Sequence, residues 1–276
     1  MAKSGKAPKG YYSASQVMRR LGIGSSTLYH FVEVGKIKRI VPPDMREGYY
    51  PQENVDKMVR EREMFLLTYS KDTATFSRAT EEDIQGIYDV TASLWKSNPS
   101  YEDRLARYRK NPYIYYVVKK EGVVVGFIGM TPLKEKPLEQ VMEENFQPVD
   151  LGPDSILPFV PGQPIDNLFL DIAVRKGVKS EPYGMRLLYS GLEVIEDFAK
   201  QGNLIKMIYA ASSTPDGIKL CRGMGFTELP AKPGASRRRF EIDPSKAKSP
   251  FLRKYQNIVK EQKNKAQEKV RSVIAH

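Results

Sequence analysis

The 276-residue chain has one cysteine, Cys221, two histidines, His30 and His276, and one tryptophan, Trp95. A single cysteine excludes an internal disulfide framework and fits a reducing compartment, so a cytoplasmic location is expected. Two histidines this far apart in sequence argue against a histidine-based metal centre and a Ser-His-Asp triad, and no metal is expected. No apolar run approaches the ~18 residues of a membrane span, and no membrane partner is expected. The opening MAKSGKAPKG is basic without an apolar core, which is not the pattern of a secretion signal and reads as a flexible end over residues 1–10.

What is present is an ordinary share of apolar residues and an uneven charge. With 41% hydrophobic and 28% charged residues, the chain can build one large domain, or a medium domain with a small one. Residues 1–66 carry 12 Lys/Arg against 7 Asp/Glu, residues 67–243 carry 23 against 24, and residues 244–276 carry 9 against 2. A near-neutral body with two basic ends directs any polyanion to the ends.

The N-terminal segment is written in helix signals. Ser13 with Gln16 makes a capping box, Val17, Met18 and Leu21 supply an apolar face, and Gly22 stops the helix. Ser25-Ser26 are expected to cap a second helix with Leu28, Phe31 and Val32 on its apolar face, ending at Gly35. Residues 36–41 read as a strand, PPDMREG as a turn and Tyr49-Tyr50 as the return, which makes a hairpin. Pro51 and Asn54 then open a third helix bearing Val55, Met58 and Val59.

Two short helices across a glycine turn, followed by a basic hairpin, form a known supersecondary pattern. The stretch YYSASQVMRRLGIGSSTLYHFVEVGKIKRI…GYYPQENVDKMV, over about residues 11–60, resembles the winged helix-turn-helix of the MerR and phage-excisionase families. The resemblance implies a DNA-binding domain over 11–66 and double-stranded DNA as a partner. Its second helix would enter the major groove with Ser26, Thr27, Tyr29 and His30 toward bases or phosphates. Lys36, Lys38, Arg39 and Arg46 would hold the phosphate backbone. A small winged domain for protein contacts is the alternative these residues leave open. Residues 67–75 read as a linker, and the Phe65-Leu66-Leu67 cluster is a docking surface or part of a homodimer interface.

From Phe76 the order is strand, helix, helix, then two strands around Lys119-Lys120-Glu121-Gly122. Residues 132–165 interrupt it with one expected helix, Leu138 to Asn145, as a substrate-side lid or a surface excursion. Next comes NLFLDIAVRKGVKSEPYGMRLLYSGLEVIEDFAKQG, Asn167 to Gly202. Leu168 to Val174 is a buried strand, and Leu187, Leu188, Leu192, Ile195 and Phe198 have helical spacing. A strand, a small-residue loop and a helix N-terminus make a site for phosphate, because the first-turn N–H groups and the helix dipole both favour an anion. Strands at 204–211 and 237–242 and a short helix before Gly225-Phe226 complete the order. Residues 244–276 form a basic amphipathic helix, expected to dock on its own domain or a second subunit, with DNA or membrane contact as alternatives.

This β-α-α-β-β-β-α-β-α-β-β order, with the V-x(7)-P-Y-G-x-x-L-L and G-I-K-L-C-x-x-M-G-F motifs, resembles the GNAT acetyltransferase family over residues 76–243. The fold class implied is an α+β two-domain protein. The small winged domain comes first, then a GNAT-like α/β domain with a mixed, mostly antiparallel twisted sheet flanked by helices. The resemblance implies acetyl-CoA or another acyl-CoA as cofactor and an amine as acceptor. The pyrophosphate would lie against the amides of Lys179, Ser180, Glu181, Tyr183, Gly184 and Met185, and the pantetheine arm along the strand at Ile172 and Val174. Pro182 departs from the family's glycine and removes an N–H donor. Thr214 stands where the family has Asn, and Cys221 where it commonly has the tyrosine acid. Strand parity favours Asp166 over Asp171 as base and leaves Asp171 a structural residue. The expected function is an acetyl-CoA-dependent N-acetyltransferase fused to a DNA-binding module. The alternative is a transcription regulator or mobile-element accessory factor whose GNAT-like domain senses acyl-CoA or is inactive.

Overall fold

The chain divides into two units, residues 1–71 and 72–276. The computed structural model describes residues 7–43, 45, 47–69, 73–143, 151–178, 180–231 and 237–274. In residues 60, 62–69, 166, 167, 180, 181, 250 and 266–274 it describes the backbone alone.

The first unit is built on a short pairing, β1 (Tyr11–Tyr12) with β2 (Tyr50–Pro51), and three helices. These are α1 (Ala14–Leu21), α2 (Ser25–Glu33) and α3 (Gln52–Tyr69). Ser13 closes the expected capping box with Gln16, and Gly22 takes the left-handed conformation that ends α1. The cap of α2 is Gly24, not the serine pair; it makes no side-chain cap bond. Val17, Leu21, Leu28, Ile37, Tyr50 and Val55 form the core. The expected hairpin shrinks to one bridge, Ile40 with Tyr49. The reason is local. Lys38 N–H donates to the Asn54 side chain at 2.6 Å, Pro42 and Pro43 follow, and Tyr50 pairs with Tyr12 instead.

The second unit is a seven-stranded mixed sheet flanked by helices. In chain order its elements are β3 (Thr75–Arg78), α4 (Asp83–Leu94), α5 (Tyr101–Lys110), β4 (Tyr115–Lys120), β5 (Val123–Pro132), α6 (Glu135–Met142), β6 (Ile165–Val174), α7 (Ser180–Lys200), β7 (Ile205–Ser212), α8 (Pro215–Met224), β8 (Thr227–Glu228), β9 (Arg238–Ile242) and α9 (Arg253–Ile274). The strands lie in the order β3-β4-β5-β6-β7-β9-β8, and only the β6–β7 pair is parallel among those described. Leu168, Leu187, Ile195 and Phe198 belong to the core under α7, while Ile87, Val117, Phe127 and Ala173 belong to the core under α4 and α5.

Two expectations need correction here. The helix of residues 132–165 starts at Glu135, because Pro137 in its first turn lacks only an N–H that would have no helical partner there, and it ends at Met142. Nor are the described residues of this segment a surface excursion. Leu133, Leu138, Val141, Met142, Leu151 and Ile156 are buried in the second core. The first half of α9 docks on its own unit through Tyr255 and Val259, with Leu252 just before it. Tyr255 Oη accepts from Ile205 N–H at 2.8 Å and donates to Ile205 O at 2.9 Å.

Candidate functional site

The register of the sheet makes an opening. β6 and β7 pair from Ile165–Ile205 to Leu170–Ala210 and no further, so Asp171 to Val174 have β5 on one side and no β7 partner on the other. Arg175 N–H donates to Val125 O at 2.8 Å, on the β5 side. Alternation along the strand then turns the backbone polar groups of Ile172 and Val174 to the edge that β7 has left. An unpaired strand edge is a row of donors and acceptors waiting for a partner. Both positions are among the expected cofactor contacts.

The turn at 175–178 follows, with Gly177 at φ +87°, and α7 begins at Ser180. A helix starting there takes the N–H groups of Tyr183, Gly184 and Met185 into its own ladder. The free donors therefore lie a turn earlier than expected for those three, and Pro182 adds none. Tyr183 is instead a core residue, 5% exposed, against Leu187 and its neighbours. A Cβ built on Gly184 meets nothing within 4 Å, so the space beside this turn is open. Lys179 and the side chains of Ser180, Glu181 and Asp166 lie outside the described residues.

Across the opening, Thr214 is the N-cap of α8, its Oγ1 accepting from Gly217 N–H at 3.2 Å. Sequence reasoning missed Ser212, whose Oγ accepts from Thr214 N–H at 3.2 Å. The signal was Gly217: a Cβ there would sit 2.2 Å from that oxygen. Cys221 is partly buried on α8, and burial pushes its thiol up to about 11. It holds its proton across the neutral range and is a weaker acid than an ordinary cysteine.

Asp171 lies on the opposite face from Ile172 and Val174, beside Arg104 and Arg107 of α5. Burial pushes its carboxyl up, and the two guanidiniums oppose this. Those arginines were not anticipated, although Tyr101, Arg104 and Tyr108 mark a helical stripe whose centre is charged.

In the first unit, Ser26, Tyr29 and His30 are exposed on α2, with Tyr29 54% exposed, and Thr27 is half-buried. Lys36 and Lys38 are exposed, Lys36 with its ammonium 5.6 Å from the Phe31 ring centre. Arg39 is packed over the Tyr29 ring at 5.7 Å, which is possible because Gly48 has no side chain to block it. Arg46 lies outside the described residues. No metal-binding cluster of His, Cys, Asp or Glu occurs among the described residues, and no described helix is long and apolar enough to cross a membrane.

No family model and no curated protein matches the chain. Among solved structures it is similar to Ard1 from Thermoplasma volcanium, at 15% identity over 62% of this chain and 97% of that one, TM-score 0.42. It is similar to yncA of Salmonella typhimurium, determined with its cofactor acetyl-CoA, at 17% identity over 64% and 97%, TM-score 0.41. A third likeness is to the ribosomal-protein-S18-alanine N-acetyltransferase of Escherichia coli, at 14% identity over 61% and 91%, TM-score 0.40.

Proposed function

We propose that residues 72–276 bind acetyl-CoA or another acyl-CoA and transfer the acyl group to an amine. The observation that carries this reading is the unpaired β6 edge at Ile172 and Val174, ending beside the N-terminus of α7. The edge offers backbone hydrogen bonds to an amide-bearing arm, and the helix terminus offers its dipole to a pyrophosphate. The open space at Gly184 fits close approach of a ligand. The bound thioester would supply the acyl group. Asp166 is the candidate base; Cys221 keeps a proton to give, but giving it to an ordinary thiolate runs uphill. Substituting Cys221→Ala is expected to change thiol release less than threefold; a loss of 100-fold would make it the acid after all.

The test of binding is a thermal shift. Acetyl-CoA at 100 times its Kd stabilises by about 2.7 kcal/mol, and Gly184→Glu is expected to remove the effect. If acetyl-CoA and CoA both leave the melting point unmoved, the reading fails. One observation favours a second reading, a domain that senses acyl-CoA without turnover: the weak acidity of Cys221.

For residues 1–71 we propose a winged helix-turn-helix that binds double-stranded DNA, through Ser26, Tyr29 and His30 on α2 and Lys36 and Lys38 beside it. Affinity is expected to fall with salt, because each neutralised phosphate releases counterions. Lys38→Ala is expected to lower the salt slope by about one. A flat salt dependence would retire DNA as the partner.

A further inference from the structure

The turn at 175–178, just ahead of the α7 N-terminus, is held from outside itself. Its internal hydrogen bond, Val178 N–H to Arg175 O, is 3.5 Å long, at the weak limit of such contacts. Lys176 and Gly177 are exposed, and Gly177 stands at φ +87°. A surface turn with so little bonding of its own takes its shape from what it touches. This one touches β5 and α4. Arg175 N–H donates to Val125 O at 2.8 Å. Lys176 N–H donates to Ser93 Oγ at 3.3 Å, across 83 residues of sequence. The Arg175 guanidinium lies 3.8 Å from Asp89 Oδ2.

The α4 side of this grip is well founded. Asp89 and Ser93 are four residues apart and share one face of the helix. Ile84, Ile87 and Val90 beneath them are fully buried, and Gly86 lets the helix sit close on Val124, next to the Val125 that binds Arg175. A serine hydroxyl has a single hydrogen to give. Ser93 gives it to Val90 O at 2.6 Å, so its oxygen meets the turn as an acceptor, and Lys176 N–H is the donor it meets. The Asp89 contact is the weaker one. Its side chain is 47% exposed and that of Arg175 31%, and ion pairs of this kind contribute little. Asp89 Oδ1 also accepts from Gln85 Nε2 at 2.9 Å.

We propose that Ser93, aided by Asp89, is a positioning residue for the phosphate end of the cofactor. Through it α4 holds the 175–178 turn in the shape in which the amides leading into α7 meet a pyrophosphate. A loop fixed in advance spares the ligand the cost of ordering it. Loss of the tie therefore falls on the phosphates and not on the thioester arm, whose contacts are the β6 edge at Ile172 and Val174. The proposal rests on the acyl-CoA reading of this unit, and the test separates the two.

Calorimetry on the full-length protein measures the binding of three probes: acetyl-CoA, S-acetylpantetheine, which has the thioester arm without the nucleotide, and inorganic pyrophosphate. Ser93→Ala is expected to weaken acetyl-CoA and pyrophosphate by about fivefold, the scale of one hydrogen bond, and to leave S-acetylpantetheine as it was. Ser93→Thr keeps the hydroxyl and is expected to bind all three like wild type. Asp89→Asn is expected to shift the same two probes in the same direction by less. The melting point of each unliganded variant checks the fold, and Ser93, being exposed, should leave it close to wild type. An equal loss for S-acetylpantetheine, no loss for any probe, or no recovery with threonine would overturn the positioning role. A loss for acetyl-CoA with none for pyrophosphate would overturn the phosphate as the group positioned. Pyrophosphate binding that depends on Ser93, without any acetyl-CoA binding, would sink the acyl-CoA reading and leave the positioning role standing. A wild-type protein that binds neither would end both.

Discussion

The two faces of the second unit's sheet are built on different terms. Under α7 lie Val118, Ile128, Met130, Leu168, Leu187 and Phe198, side by side and apolar. Under α4 and α5 the core interleaves Ile87, Val117 and Phe127 with Asp83, Arg104 and Arg107, all buried. Apolar burial stabilises in proportion to area, whereas each buried charge must first offset its own desolvation. The difference teaches that the α7 face is held mainly by apolar burial, whereas the α5 face must also offset the desolvation of several charges. Substitutions on the two faces should therefore part company.

The largest effect is expected on the apolar face. Leu187 is fully buried, and Leu187→Ala removes packed volume that its neighbours cannot refill, at about 2–5 kcal/mol. Urea unfolding checks it, and a cost under 1 kcal/mol would mean that the α7 face is not the stabilising one. Next comes the polar pin on that face. Tyr255→Phe orphans the N–H and C=O of Ile205, both bonded to its hydroxyl, and should cost about 1–3 kcal/mol. An unchanged melting point would show that α9 is not needed to complete the core.

How closely the helices approach gives a finer contrast, since each face has one helical glycine over β5. A Cβ on Gly86 of α4 would lie 2.7 Å from both Cβ and Cγ2 of Val124, and that Cβ moves only with the backbone. One on Gly191 of α7 would lie 2.8 Å from Ile128 Cδ1 and 3.0 Å from Met130 Cε, the ends of flexible side chains. Overpacking costs about 1–3 kcal/mol, and alanine returns about 1 kcal/mol in helix propensity. Gly86→Ala should therefore destabilise by about 1–2 kcal/mol and Gly191→Ala by less. The reverse order by denaturant midpoint would place the tighter packing on the α7 face.

What could be read from the residues follows the same division. Continuous β-rich apolar runs such as 123–130 and the helical period of Leu187 to Phe198 are signals of apolar burial, and those elements stand where expected within two residues or so. Capping is local chemistry, so Ser13 with Gln16 was legible as well. The short hairpin at 36–50 was not, because its ladder partners are set by Asn54 and Tyr12, far along the chain. The α5 arginines were hidden for a related reason: a charged residue reads as solvated until the fold shows what lies over it. At the candidate site, Ile172 and Val174 came from the family resemblance, and strand alternation turns both to the same edge. The opening beside them comes from where β6 and β7 stop pairing, which no local pattern encodes.

The smallest effect concerns the acid-sensitive end of the charged face. Burial alone would raise the Asp83 carboxyl. The Lys119 ammonium at 2.7 Å, with the N–H and hydroxyl of Thr80, outweighs it and holds the group below the ordinary carboxylate range. A depressed folded pKa stabilises above the unfolded value and is lost as pH falls through the folded one. The contribution should thus be whole at pH 7 and fade below about pH 4, the range of an unfolded aspartate. Asp83→Asn should lower stability at pH 7, with the gap to wild type narrowing between pH 4 and pH 2 in urea titrations. Tyr255→Phe, whose hydroxyl bonds the uncharged backbone of Ile205, should show a gap that changes less over that range. If the two gaps run parallel, charge on the α5 face does not behave differently from hydrogen bonding on the α7 face, and the division between them loses its electrostatic half.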